Sequence, residues 1–432
     1  MNIAARTGSI ENVIKLLKNL SVICLDSEGR SALHEAAAAG HLNIINALLE
    51  NKFSIDDTDE AGNTPLHYAV WFGSGPVTEC LLQNGADVNA QNNFLWTPLH
   101  LACYQSDIPM AAILLRPEFH AKVNLPGPVS VTALTWAADN GSEALVDLLL
   151  QSKADANRPD QVGQCALHHA AAHNYVSVMQ RLVEGMADVE HKSRNDARAI
   201  DIATQYGHAD AVGFLLDLGA DPNAGPGGDW SPVHLAAARG HVNVIEKLLE
   251  RRWRADLDIR GAYNKTALIW AAEVGQNGSV RILLAKGADP NARDAFGESG
   301  LHYAASNGYL DIVTQLVEAG CDVLGRNDRG QQPLHGATGI YGSMYPIIKY
   351  LIENGADVNA RDGEGNTPLL NVSRLGNKRL ARLLLDSKAD PALCNNGNSA
   401  IEFASENGHH DIANLLRSFL VQSSDRDSTP AS

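Results

Sequence analysis

Short apolar stretches recur in pairs along the whole chain. The first of each pair is small and alanine-rich, as at Ala137-Ala138 and Ala271-Ala272. The second is amphipathic and ends in a leucine pair, as at Leu48-Leu49, Leu81-Leu82 and Leu248-Leu249. Within one such stretch Leu145, Leu148 and Leu149 keep the spacing of a single helical face. Polar and glycine-containing segments separate the pairs. The pattern predicts two short helices per unit, the first packed closely through alanine and the second through leucine.

The units are copies of one another. Thr64-Pro65-Leu66-His67 recurs as Thr97-Pro98-Leu99-His100 and, degraded, as Ser31-Ala32-Leu33-His34. Further copies begin at Thr132, Cys165, Arg198, Ser231, Thr266, Ser299, Gln332, Thr367 and Ser399. Successive starts are 33, 33, 35, 33, 33, 33, 35, 33, 33, 35 and 32 residues apart. Gly-His follows in several units (Gly40-His41, Gly207-His208, Gly240-His241, Gly408-His409), and Gly-Ala-Asp-x-Asn closes others, as at Gly85 to Asn89, Gly287 to Asn291 and Gly355 to Asn359.

Each element has a local physical reason. Thr or Ser opens nine of the twelve tags, where a hydroxyl caps free helix N–H groups. Proline follows in five, at a position where its missing N–H costs nothing. Glycine ends the first helix in the left-handed region. Asp and Gly pairs such as Asp59/Gly62 and Asp294/Gly297 supply a hairpin turn between units.

The combined motif resembles the ankyrin-repeat family over nearly the whole chain. The resemblance implies an all-α repeat: an ankyrin solenoid of stacked helix-turn-helix units with β-hairpin loops, in which neighbours bury a shared core. The expected boundaries are a truncated N-terminal repeat or cap over 1–25, an array of about twelve repeats over 26–420 and a disordered tail over 421–432. Because Met1 falls where the leucine of a tag belongs, the opening is either a cap or a sign that the natural gene product extends upstream.

Charge and candidate chemistry change this picture little. The net charge of −16 argues against direct nucleic-acid binding, which needs basic surface, and fits a partner with basic segments. Six cysteines (Cys24, Cys80, Cys103, Cys165, Cys321, Cys394) lie too far apart for metal or disulfide spacing and read as reduced, mostly buried residues. Together with the lack of a membrane-length apolar run or signal peptide, this places the protein in the cytoplasm or nucleus. Of sixteen histidines, seven (His34, His67, His100, His168, His234, His302, His335) hold the tag position. The resemblance assigns them hydrogen bonds between repeats, not metal binding or catalysis. Gly225-Pro226-Gly227-Gly228 lacks the Lys-Ser/Thr of a phosphate loop and reads as a turn. No metal, cofactor, small-molecule substrate or enzymatic activity is expected.

In the family, partners usually meet hairpin tips, the residue before the tag and the two residues before the helix-ending glycine, on the concave side. Unusual residues there are Trp71 and Phe72, then Phe94, Trp96 and Tyr104 in the adjacent unit, with Leu95 where a turn glycine belongs. Clustered aromatics of this kind are interaction hot spots. Trp230 precedes another tag and is a second candidate contact; Trp136 and Trp270, just after their tags, read as packing residues. Two insertions give Arg116 to His120 and the basic run Glu250-Arg251-Arg252-Trp253-Arg254; a third enlarges the loop Gly339 to Tyr345. The expected function is a monomeric protein–protein scaffold or adaptor. The alternatives are a transcriptional co-regulator and the recognition array of a larger receptor- or channel-type protein.

Overall fold

The computed structural model describes residues 1–19, 25–253, 255–339 and 344–427. Among them are twenty-six α-helices and no β-strand, so the chain is an all-α repeat solenoid. It divides into two compact units, Met1–Ala220 and Asp221–Ser432.

In the first unit, the helices opened by tags are Ala32–Ala38, Pro65–Trp71, Pro98–Tyr104, Ala133–Asp139, Ala166–Ala172 and Ala199–Tyr206. Their partners are Leu42–Glu50, Gly75–Gln83, Ile108–Leu114, Glu143–Gln151, Val176–Glu184 and Ala209–Asp217, and Asn2–Arg6 with Ile10–Asn19 precede them. The second unit runs from Pro232–Arg239 with Val242–Leu248 to Ala400–Glu406 with His410–Asp427. That last helix continues past the expected boundary at residue 420, and residues 428–432 lie outside the described residues. So do Cys24, Arg254 and four residues of the enlarged loop at 340–343.

The first residue of every tag is the cap of its helix, including Cys165, Arg198 and Gln332. Sequence reasoning assigned the cap to the hydroxyl. The tag histidine does as much: the N–H groups of Ser31, Thr64 and Thr97 donate to Nδ1 of His34, His67 and His100 at 3.0, 3.1 and 3.2 Å. The other ring nitrogen reaches the next repeat. His67 Nε2 meets the Trp96 carbonyl at 3.0 Å, and His168 Nε2 that of Ala197 at 3.1 Å. One side chain therefore caps a helix and ties two repeats together.

The core alternates as the pattern predicts. Leu33, Leu66, Leu134 and Leu167 from first helices are fully buried, as are Leu48, Leu81, Leu114, Leu149 and Leu182 from second helices. The pairs Ala36-Ala37, Ala137-Ala138 and Ala170-Ala171 are buried without remainder, and alanine at these positions lets the helices approach closely. Glycine ends several first helices in the left-handed region (Gly240 at φ 79°, Gly376 at φ 84°), but Ser106 and Asn174 adopt it too. Of the described cysteines, Cys103, Cys165 and Cys321 are buried, while Cys80 is half-buried and Cys394 exposed.

The loops between units turn back tightly without pairing as ladders. Among the described residues only isolated bridges form, Arg293 with Ser299 and Asn395 with Asn398. Many of the turns are held by an aspartate or asparagine side chain instead: Asp59 Oδ1 accepts from Asn63 N at 2.7 Å, and Asn92 Oδ1 from Trp96 N at 3.0 Å. A single backbone bond links one tip to the next, as from Asn93 N to the Ala61 carbonyl at 2.9 Å. The side chains close the turn so early that too few residues remain for a strand.

Candidate functional site

The tip before Thr97 brings Trp96 to the face formed by the first helices. Leu95 occupies its turn at φ 65°, a conformation that costs an ordinary residue about 1–2 kcal/mol. Asn92 Oδ1 accepts from the N–H groups of both Phe94 and Trp96 at 3.0 Å and holds the turn against that cost. His67 then fixes the Trp96 carbonyl from the preceding helix.

Trp96, Tyr104, Trp71 and Trp136 form one ring array across three successive repeats. Trp96 lies nearly parallel to Trp136, with centroids 5.4 Å apart, and Tyr104 stands edge-on to both, at 5.4 and 5.1 Å. Trp71 lies parallel to Tyr104 at 6.5 Å. The helix ends beneath are tied together: Gln105 Nε2 donates to the Trp71 carbonyl and Asn140 Nδ2 to that of Tyr104, both at 2.9 Å. Trp71 is 45% and Tyr104 47% exposed, although each has an aromatic neighbour.

The other candidates sit differently. Phe72 is 58% exposed and stacks on Tyr68 at 6.4 Å, where both rings line a concavity of about 250 Å³ with Asn63, His67, Trp71 and Leu101. Phe94 is 64% exposed and stacks on none of these rings. Trp230 belongs to the second unit and packs on Trp270 at 4.5 Å. Sequence reasoning treated Trp136 as a packing residue, and Trp96 and Tyr104 do pack on it. Its signal was available: the position four residues into a tag faces the residue that precedes the previous tag.

Charged groups follow further along the Trp136 helix. Asp139, one turn further on the same helix, accepts at Oδ1 from His169 Nδ1 at 3.1 Å and from His173 Nε2 at 3.2 Å. His169 Nε2 meets Asp160 at 3.2 Å. Burial alone would lower the His169 pKa, but the two carboxylates outweigh it and raise the value. The His169 bond in turn holds Asp139 below its ordinary pKa.

The second unit carries a group that sequence reasoning missed. Lys265, buried, points its ammonium at Tyr303 (4.2 Å to the ring centroid) and Trp270 (4.6 Å), and pairs with Glu273 at 2.6 Å. In the basic insertion, Arg252 is paired within its own segment. Glu250 pairs with Lys247 at 2.7 Å and Arg252 at 3.1 Å, and the Arg252 guanidinium covers Trp253 at 3.9 Å.

Among the described residues, no cluster of three or more His, Cys, Asp or Glu could hold a metal ion, and no helix is long and apolar enough to cross a membrane.

A stack of capped helix pairs with an open aromatic face defines a class of repeat protein built for interaction. Comparison with known families specifies it: the model described as ankyrin repeats matches residues 1–92, 79–160, 134–226, 223–294, 286–362 and 334–425. The chain belongs to the ankyrin-repeat family, whose repeats are in general protein-interaction modules. It is also similar to acyl-CoA-binding domain-containing protein 1 of Arabidopsis thaliana, 47% identical over 47 residues. That stretch is 11% of this chain and 14% of the relative, so the chain spans only a small part of that protein.

Proposed function

We propose that this chain is a non-catalytic scaffold or adaptor that binds a protein partner through the aromatic face spanning Trp71 to Trp136. The observation that carries the reading is the unbroken ring array on three successive repeats, with Trp71 and Tyr104 about half exposed. Large rings that stay accessible while supported from behind supply contact area at little entropic cost, which is the property of hot-spot residues. Phe72 and Phe94 extend this face. The net charge of −16 favours a partner with basic segments over nucleic acid. The wide cysteine spacing supports a reducing compartment, cytoplasm or nucleus. The short likeness to the acyl-CoA-binding protein supplies no ligand for this chain.

Replacing Trp71, Trp96 and Tyr104 together by alanine is expected to abolish partner capture by the immobilised protein, since each such anchor is worth about 2 kcal/mol or more. Helical circular dichroism should remain that of the parent. Recovery of the same partners by the folded triple variant would make the face structural and remove the proposal.

A further inference from the structure

The polar side chains that line the concavity of about 250 Å³ are already committed within the protein. Asn63 Nδ2 donates to Asp59 Oδ2 at 3.0 Å, and Asn63 Oδ1 accepts from Asn92 Nδ2 at 2.8 Å. His67 accepts at Nδ1 from Thr64 N and meets the Trp96 carbonyl through Nε2. The Tyr68 hydroxyl donates to Asp59 Oδ2 at 2.7 Å. What the site offers an occupant is therefore apolar: the rings of Tyr68, Trp71 and Phe72, and Leu101. These walls are supported in advance. Tyr68 stands edge-on to His34 at 5.6 Å and parallel to Phe72, and Trp71 is backed by Tyr104. An enclosed cavity of about 150 Å³ holds benzene, so this concavity has room for a phenyl ring.

The surrounding charge has one sign. Residues 26–105 carry ten carboxylates against two cations, Arg30 and Lys52, a balance of −8. That is half of the chain's −16 in under a fifth of its length. Arg30 is engaged by Asp26, Glu28 and Glu35, and Lys52 lies beyond the end of the helix Leu42–Glu50. Glu60 follows Asp59 on the tip that holds Tyr68, and its N–H bonds the Glu28 carbonyl of the preceding tip at 3.0 Å. Its side chain is exposed and has no ion-pair partner among the described residues.

We infer that the Tyr68–Trp71–Phe72–Leu101 concavity seats a phenylalanine side chain from a partner segment in which the flanking residues are lysine or arginine, an inference that rests on reading this face as the docking surface. Ring packing and loss of water hold the phenyl group. The flanking cations meet the acidic tips, which draw the segment in and set its register. An ammonium does not take the seat, because no carboxylate lines it.

The full chain is titrated by calorimetry, at neutral pH and low ionic strength, with the capped peptide Lys-Lys-Lys-Phe-Lys-Lys-Lys. Replacing the peptide's phenylalanine by alanine should weaken binding at least about tenfold, and Glu-Glu-Glu-Phe-Glu-Glu-Glu should not bind. Phe72→Ala, at an exposed position and with the parent's circular dichroism, should weaken the lysine peptide at least about tenfold. Phe94→Ala, an exposed ring outside the concavity, should change it less than about threefold. Glu60→Lys should weaken it at least about fivefold, and Glu118→Lys, exposed elsewhere in the first unit, less than about twofold. Equal binding of the phenylalanine and alanine peptides would mean charge attraction alone and overturn the inference, as would a Glu60→Lys effect no larger than that of Glu118→Lys. Partner capture lost in the triple alanine variant but intact in both Phe72→Ala and Glu60→Lys would sink the phenylalanine seat and leave the docking face standing.

Discussion

Stability is expected to drain away as the pH falls from 6.5 towards 4. All seven tag histidines are buried, and burial lowers the pKa of each, to about 4 for His100, His168 and His302. Their hydrogen bonds explain why a charge is unwelcome. Nδ1 accepts, from a backbone N–H in six of them and from the Ser231 hydroxyl in His234, so the proton of the neutral ring sits on Nε2. Nε2 then donates to a carbonyl of the next repeat, as His302 does to Gln331 at 3.1 Å. A second proton on Nδ1 would confront a donor with a donor.

The sign follows from linkage. Between the folded value and the ordinary 6.5, the unfolded chain binds protons that the folded chain refuses, so stability is complete above 6.5 and is lost as pH falls. Each such group contributes up to about 1.4 kcal/mol per pH unit inside that window. Four of the seven lie in the first unit and three in the second. Over two pH units the groups lowered to about 4, His100 and His168 in the first unit and His302 in the second, remove up to about 6 and about 3 kcal/mol. That is a large share of the 5–15 kcal/mol that ordinarily separates folded from unfolded, and the other four add in the same direction. His169, with its raised pKa, works the other way, favouring the fold below 6.5 and losing that effect as pH rises. It is one group against seven. Thermal melts followed by circular dichroism at stepped pH should show Tm falling steadily through this window; a flat Tm would refute the assignment of neutral, Nε2-protonated rings.

Asp201→Ala is expected to destabilise the first unit by about 3–5 kcal/mol, the ordinary cost of breaking a buried ion pair from one side. Here the tag reads Arg198-Ala-Ile-Asp201, and both charged side chains are 1% exposed. Asp201 does what the tag histidine does elsewhere: its Oδ2 accepts from Arg198 N at 2.9 Å and from Arg198 Nε at 3.1 Å. Burial opposes the Arg198 charge, but the Asp201 and Glu190 carboxylates outweigh it and raise its pKa. Removing Asp201 takes away the buried carboxylate that faces Arg198 Nε and Nη2, while Glu190, 3.1 Å from Nη1, lies at the surface. The double change Arg198→Thr with Asp201→His rewrites the tag as in the neighbouring repeats. It should be neutral or stabilising, because a neutral cap replaces a desolvated pair. Chemical denaturation of the two variants distinguishes these outcomes; an Asp201→Ala cost below about 1 kcal/mol would mean that the pair is hydrated.

Much of the fold is legible in the residues because each repeat carries its own instructions. Thr64-Pro65 starts a helix wherever it stands, Gly240 stops one, and Leu81 must be covered by a neighbour. Arg198 and Cys165 show the limit of that reading. The register alone makes them caps, and the contacts that let them serve appear only in three dimensions. The loops between units divide in the same way. Asp59 and Gly62 announce a turn, but whether its arms pair depends on how soon Asn63 closes it.

The candidate site was partly visible. Trp71, Phe72, Phe94, Trp96 and Tyr104 stood out against the repeat, and the fold brings Trp71, Trp96 and Tyr104 into one array. It leaves Phe94 on its tip and turns Phe72 towards Tyr68. By itself the sequence determined the repeat, its period and the family, because those signals are local and recur every 33 residues or so. Only the tertiary structure decided that Trp136 joins the Trp96 and Tyr104 rings, and that Lys265 lies between Glu273 and the faces of Trp270 and Tyr303. Those facts depend on side chains about one repeat apart meeting across stacked helices, where direction and distance, not residue type, determine what touches what.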